Sequence, residues 1–438
     1  MAIIPQRKLF DYTEIEKLGD LERLKLVMEY LPDEKFMKHL EKERGDGRDD
    51  NPIRGMWNSL LAGIVYEHDS TASLRRELAR NGQMRTLVGL SNGVPSASAY
   101  SRFLNKLMEE EHVELIEEIF NTLINQLKEL LPDFGERLAV DGKAIESFAN
   151  SHEYENEEEL KGDRRRDLDA DYGVKEYHFE NEDGSTYTKI KSWFGYKLHL
   201  IVDSYYELPV AFEVTPASAG EAPKAHDLVD GLKKEHPEIL KRAKFCTGDK
   251  GYDDGKLTQK LWDDHQIKPV IDIRNNWQGD ETKLVEGTEN VVYDYQANVY
   301  CYDPKTGTKR EMAYGGFEKS RETLKYLSPC KHYGIECKGE KDCPLAKSIR
   351  IPLSEDKRRF TPVARSSYKW DREYDKRTAV ERVNSRLDMS YGFENHTIRG
   401  LNKMKLQTSL SLMVMLAMAV GRIKEKQKDK MRSLVKPA

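Results

Sequence analysis

The sequence predicts an α/β protein: a mixed sheet flanked by helices, preceded by an all-helical stretch and broken late in the chain by a strand-rich insertion. Three observations lead there. Two apolar runs, Leu138-Ala139-Val140 and Phe245-Cys246-Thr247-Gly248, lead into acids beside glycine, Asp141 and Asp249, as buried strands do when they reach a sheet edge. Upstream of Asp141, apolar residues recur at helical spacing. From Asp141 onward the order is strand, hairpin, helix, strand, helix, strand, which packs most naturally as a sheet with helices on its faces.

Residues 1–50 are polar and read as short helical pieces, with a turn-rich loop at 46–52. A helix over 53–66 is apolar at Met56, Leu60 and Ile64. Ser70 is placed to cap a second helix, 71–80, which carries Arg75, Arg76 and Arg80 and has Gly82 just past its end. After a turn at 91–96, Ser96 or Ser98 caps a third helix bearing Tyr100, Arg102 and Lys106. Short helices around a Gly/Pro turn suit a helix-turn-helix-like module, and suit an ordinary helical bundle as well. A long amphipathic helix, 111–131, is stopped by Pro132.

Beyond Asp141, residues 147–183 are a polar excursion with an acidic run at 157–159 and arginines at 164–166, read as an exposed loop or flap. Strands over 193–203 and 208–214 form a hairpin through a tight turn at 203–207. A helix over 225–236, a buried strand over 243–249, a helix over 254–264 and a strand over 268–273 complete the series. Residues 275–365 then interrupt it, with strand-like pieces at 291–295, 298–302 and 310–314. The chain returns to helix near Arg377 and stays mostly helical to Lys430. The segments are thus 1–130, 131–274, 275–365, 366–425 and a basic tail, 426–438.

The 438 residues are 38% hydrophobic and 34% charged, with a formal net charge of -5, a soluble globular composition. The charge is uneven. Residues 341–438 hold 23 Lys and Arg against 11 Asp and Glu, a net of +12, which leaves -17 for the remaining 340. Such asymmetry suggests a face for a polyanion. The start has no long apolar core, so no leader is expected. The most apolar stretch, 410–420, is too short to span a bilayer, which takes about 20 residues, and reads as a buried helix. A cytoplasmic location is expected, and with it reduced cysteines.

Asp141 and Asp249 at strand ends, with Glu381 on a late helix, are candidate ligands for divalent metal. Phosphodiesters resist anionic attack, and two metal ions about 3.5–4 Å apart overcome this by activating the nucleophile and stabilising the leaving oxygen. Mg²⁺ takes hard oxygen ligands and needs few carboxylates. Singly, each acid is as consistent with a solvated strand or helix end. Cys301, Cys330, Cys337 and Cys343 cluster in the insertion and can be read as a four-thiolate Zn²⁺ site, with His332 as a possible substitute ligand, or as reduced, unliganded cysteines. Their spacing lacks C-x-x-C knuckles. His199 is read as a packed or rim histidine. Trp277 is read as a loop anchor, or else as a platform for an unpaired base.

Three blocks together resemble the DDE transposases of bacterial insertion sequences: Ala139-Val140-Asp141-Gly142-Lys143, Thr247-Gly248-Asp249-Lys250-Gly251-Tyr252-Asp253, and Tyr374-Asp375-Lys376-Arg377-Thr378-Ala379-Val380-Glu381-Arg382. The subgroup resembled carries a Y-R-E-K signature, met here by Tyr374, Arg377 and Glu381, with Asp388 where the signature has lysine. The resemblance implies a ribonuclease H-like core and two Mg²⁺ (or Mn²⁺) ions held by Asp141, Asp249 and Glu381. It implies DNA contact by Tyr374 and Arg377, and a homodimer or higher oligomer on DNA ends and target DNA. It also implies a DNA-end-binding role for the N-terminal helices. The expected activity is metal-dependent cleavage at element ends followed by strand transfer. The alternatives are a metal-dependent DNA nuclease, including a non-joining derivative, and a DNA-binding protein with an inactive core.

Overall fold

The computed structural model describes residues 19–46, 51–149, 151, 166–181, 185–277 and 280–433. Residues 1–18, the acidic run at 157–159, Arg164, Arg165 and residues 434–438 lie outside them. Seven helices precede the sheet among the described residues: α1 (Leu21–Tyr30), α2 (Glu34–Arg44), α3 (Ile53–Val65), α4 (Thr71–Arg80), α5 (Gly82–Leu87), α6 (Ala97–Leu107) and α7 (Glu110–Leu130). The expected caps are present. Ser70 accepts from the Ser73 amide and Ser96 from that of Ala99, each satisfying an amide that the first turn leaves unpaired. Gly82 opens α5 instead of merely ending α4, because the Asn81 side chain caps the Met84 amide.

The central sheet holds six strands: β1 (Arg137–Glu146), β2 (Asp171–Glu180), β3 (Thr186–Asp203), β4 (Leu208–Pro216), β5 (Phe245–Gly248) and β6 (Lys268–Ile271). Their order is β2-β3-β1-β5-β6, with β4 also paired to β3. β1, β2 and β4 run antiparallel to β3, whereas β5 is parallel to β1 and to β6. The sheet is therefore mixed, as predicted. Two differences stand out. The polar excursion contains β2, paired to the first half of β3; its Tyr172, Val174 and Phe179 are exposed, so among the described side chains its apolar residues mark no core-facing alternation. β1 also runs five residues past Asp141, held there by β3 alone.

Helices α8 (Glu221–Glu235) and α9 (Pro237–Arg242) lie between β4 and β5. The helix expected over 254–264 is shorter. Asp254 caps α10 (Gly255–Gln259), which passes into one π-helical turn at Lys260–Asp264. The insertion then builds two small sheets, β7 (Lys283–Leu284) to β10 (Lys309–Glu311) through β8 (Val291–Tyr293) and β9 (Val299–Tyr302), and β11 (Ala313–Glu318), β12 (Thr323–Leu327) and β13 (Ser348–Pro352). A short helix, α11 (Pro329–Tyr333), follows β12. These sheets share a core of their own around Tyr293, Val299, Leu324, Tyr326 and Phe360.

The chain returns through α12 (Tyr368–Tyr374), a 3-10 turn at Asp375–Arg377, α13 (Thr378–Tyr391) and α14 (Leu401–Lys424). α14 is long and apolar enough to cross a membrane by composition alone, yet it is mostly buried. It packs against α1, α3, α7 and β4, and one apolar cluster runs from the N-terminal helices through the sheet to α14. Gly195 sits where β1 and β3 meet β2. Its φ is +154°, and a Cβ there would lie 2.2 Å from the Ile145 carbonyl oxygen. Gly195→Ala is expected to cost about 1–3 kcal/mol, read as a lower urea midpoint with the slope retained. An unchanged midpoint would mean that the strands part there freely.

Candidate active site

Parallel pairing of β1 with β5 ends at Val140 opposite Gly248. The next residues on the two strands are Asp141 and Asp249, so the ladder itself sets two carboxylates side by side. Asp141 is only 8% exposed. Its carboxyl is pushed up from 3.8 to about 6, first by burial and then by the charge of Asp249, with Lys175 and Arg377 pulling the other way. Asp249 leaves β5 and caps a 3-10 turn at Lys250–Tyr252, accepting from the Gly251 amide at 2.8 Å. Arg274 clamps that turn through the carbonyls of Lys250 and Gly251 at 2.6 and 3.1 Å. Lys175 from β2 lies 3.8 Å from Asp249.

Glu221, the first residue of α8, is a fourth acid that the sequence reading did not single out. A Cβ on Gly251 would lie 1.7 Å from its Oε2, and one on Gly142 3.0 Å from its Oε1. The glycines of both acid blocks therefore make room for Glu221. Burial and then Asp249 raise its pKa, while Lys197, at 3.9 Å, opposes them. A lone Glu at a helix start carries no sequence signal beyond a favourable helix dipole; only the two nearby glycines hint at it.

α13 packs against β1 and β3, burying Val380, Val383 and Leu387. Its outer residues fix its position, because Arg382 binds the Glu207 carboxylate at 2.7 Å and Arg386 binds the Glu207 carbonyl, both in the hairpin turn. One turn beyond Glu381, Asn384 donates to Asp141 Oδ2 at 3.2 Å. Glu381 itself, half exposed, is held by Arg377 at 2.7 Å. The charge of Arg377 interacts with both Glu381 and Asp141. Arg377 is thus the link between the late acid and the strand acids.

Tyr374 is not on the same helix as Glu381. It ends α12, stacks on Trp370 with ring centroids 4.6 Å apart, and lies under the Arg377 guanidinium at 5.7 Å. Asp388 receives Lys143 of the first acid block at 2.6 Å. His199 is buried and bonded to Thr215 at 3.0 Å; burial holds its pKa down at about 4. Trp277 lies between Arg359 and Lys283, 4.4 and 4.7 Å from its ring, with Tyr293 edge-on.

Asp141 and Asp249 follow the last paired residues of adjacent strands and interact by charge, and Arg377 links Glu381 to Asp141. Among the described residues, the set with three ligand atoms within 4.8 Å of one another is His39, Glu43 and His112, so the three acids do not close on one point. The His39 set is already an ion-pair network, with Glu43 bound to Lys106 at 2.8 Å and His112 at 2.9 Å. Cavities of about 420 Å³ beside Phe120 and Phe212, and of about 470 Å³ beside Phe148 and Arg399, include none of Asp141, Asp249 and Glu381.

The family model described as the transposase DDE domain matches residues 134–417, most of the chain and every residue of this acid site. The chain belongs to the transposase DDE domain family. No curated protein matches it. A solved structure that matches is the cryo-EM synaptic complex of piggyBac transposase with hairpin DNA, at 12% identity and a TM-score of 0.34 over 95% of this chain and 85% of that one, a likeness too loose to bear on fold or chemistry.

The Asp141 carboxyl titrates at about 6 in the folded DDE protein and at 3.8 ordinarily, so between those values the folded state holds more protons than the unfolded one. Stability therefore falls as pH rises through that window. Asp141→Asn removes the titration. In chelator it is expected to be more stable than wild type by about 2–3 kcal/mol at pH 7 and no different near pH 3, as measured by denaturant melts across pH. Parallel pH profiles for the two proteins would show that Asp141 titrates normally.

Proposed function

We propose that this DDE protein is a transposase of the bacterial insertion-sequence type, with a ribonuclease H-like core. In this reading it cuts DNA at element ends and joins them to a target. The observation that carries the reading is the pairing of Asp141 with Asp249 at the end of the β1–β5 ladder, under a helix that brings Glu381 and Arg377 to the same edge. The antiparallel β4, β3 and β1, continued by parallel β5 and β6, support the core assignment.

Members of the family typically use divalent metal ions, and the residues present fit them. The donors are hard carboxylate oxygens, suited to Mg²⁺ or Mn²⁺. Asp141 is buried against another acid without full compensation. Asn384 Oδ1, Arg377 Nε and Tyr252 Oη are buried around them without partners. Asp141, Asp249 and Glu381 would hold the ions, with Glu221 behind Asp249. Bound metal would supply an activated nucleophile and a stabilised leaving oxygen.

The protein's own groups do the rest. Asn384 orients Asp141. Arg377 would present its planar fork to a phosphate, which lysine cannot copy, once Glu381 served as a metal ligand. Tyr374 supports that guanidinium from below. Lys175 and the basic C-terminal segment draw the polyanion, and the N-terminal helices bind element ends. Catalysis would take place in the cytoplasm in a dimer or higher oligomer on DNA. A second reading, a nuclease or a derivative that cuts without joining, is favoured by one observation: Asp388 replaces the signature lysine and occupies Lys143.

Asp249→Asn keeps size and removes a charged ligand. Cleavage and joining of labelled element ends in Mg²⁺ are expected to fall by about three orders of magnitude or more, with end binding retained and still salt-sensitive, since phosphate contacts dominate affinity. Cleavage at the wild-type rate would exclude the role. Arg377→Ala is expected to lose cleavage about 100-fold, and Arg377→Lys less. A partly exposed ion pair alone is worth only about 0.3–0.5 kcal/mol, so normal cleavage by both variants would leave Arg377 as that pair and nothing more.

A further inference from the structure

The insertion gathers four cysteines from distant points in its sequence. Cys301 lies on β9, and Cys330 in α11 after β12. Cys337 and Cys343 follow in the loop before β13. Backbone pairing and side-chain bonds bring them together. Asn290 exchanges hydrogen bonds with Tyr302, beside Cys301, and its Nδ2 also reaches Cys343 Sγ at 3.6 Å. Lys331, beside Cys330, donates to the carbonyls of Cys343, at 3.1 Å, and of Leu345. Asp303, two residues past Cys301, accepts from the amides of Lys338 and Gly339 at 2.9 and 3.0 Å, which seats Cys337. Gly339 is required for this approach, since a Cβ would lie 2.6 Å from Asp303 Oδ1.

The thiols sense one another. Cys301 is buried, and its charge interacts with those of Cys330, Cys343 and Cys337. Each of the other three has a weak partner: Ser328 for Cys330 at 3.4 Å, Asn290 for Cys343, and Asp303 for Cys337. His332 is exposed against Tyr333 and does not join them. The four sulfurs do not close within 4.8 Å of one another, as is natural for neutral thiols turned toward separate partners.

We propose that Cys301, Cys330, Cys337 and Cys343 form a structural four-thiolate Zn²⁺ site that ties the two sheets of the insertion together. Four soft sulfur ligands select zinc and fill a tetrahedral site with no open position. Zinc would displace the thiol protons, and binding energy would become folding energy for the insertion. The small sheets give that energy something to do: β7 to β10 have two to four residues each. Cys301 belongs to one sheet and Cys330 follows the other, so one ion would cross-link both. Lys331 on the Cys343 and Leu345 carbonyls, and Arg310, 3.8 Å from Asp303, bring positive charge to a site that would be anionic.

The test is metal analysis of the full chain purified without chelators. The expected result is about one zinc per chain, unchanged in Asp141→Asn/Asp249→Asn, which separates this site from the acid site. Cys343→Ser and Cys301→Ser are expected to lose nearly all of it. Should those variants fail to fold, wild type gives the answer: mercurial titration of the thiols should release the zinc as about four of them react, followed with a chelating dye. Zinc-free wild type would overturn the proposal. So would zinc retained at wild-type stoichiometry in soluble Cys343→Ser, or released before the thiols react.

Discussion

Like charge placed beside like charge at the end of a parallel strand pair organises this chemistry. The β1–β5 ladder stops one residue short of Asp141 and Asp249, and β3 alone carries β1 onward. The acids therefore occupy a notch where one neighbour has left and the other remains. Burial makes the charge of Asp141 costly, and a second carboxylate raises the cost. Such an arrangement is stable only with compensating cations. Lys175 and Arg377 supply part of that compensation from β2 and from the turn before α13, and each is bound to an acid of the site. The resting protein thus uses its own side chains to hold charge that a divalent cation would hold more strongly.

The surrounding elements make sense in those terms. The hairpin turn anchors α13 through Glu207, which fixes the register at which Glu381, Asn384 and Asp388 face the sheet. The Asp249–Asp253 turn is held by Arg274 and Arg358. Glycines at 142 and 251 admit Glu221. Asp388 is paired with Lys143, so it adds no unpaired acid beside the site. The buried α14 joins the sheet to the N-terminal helices in one apolar cluster.

Much of this was legible in the residues. The caps at Ser70 and Ser96, the hairpin at 203–207, the mixed sheet and the burial of 410–420 all follow from local pattern, because short-range capping and periodicity determined them. β2 was not legible, since it pairs along the exposed extension of β3 and buries little. The continuation of β1 past Asp141 was hidden because an acid followed by glycine looks like a strand end, and only the partner's length decides otherwise. The break between Tyr374 and Glu381 was not legible: a 3-10 turn over Asp375–Arg377 separates their two helices. Glu221 was invisible because its role depends on two glycines 79 and 30 positions away. The charge link from Arg377 to Asp141 was not legible, because it depends on how α13 packs on β1.

The claim at the centre is that Arg377 and divalent metal exchange places on Glu381. A crystal structure with Mn²⁺ and an element-end DNA, read by anomalous scattering, tests it most directly. Manganese is expected between Asp141, Asp249 and Glu381, with the Arg377 guanidinium moved onto a DNA phosphate. Manganese held by Asp141, Asp249 and Glu221, with Arg377 still paired to Glu381, would contradict it.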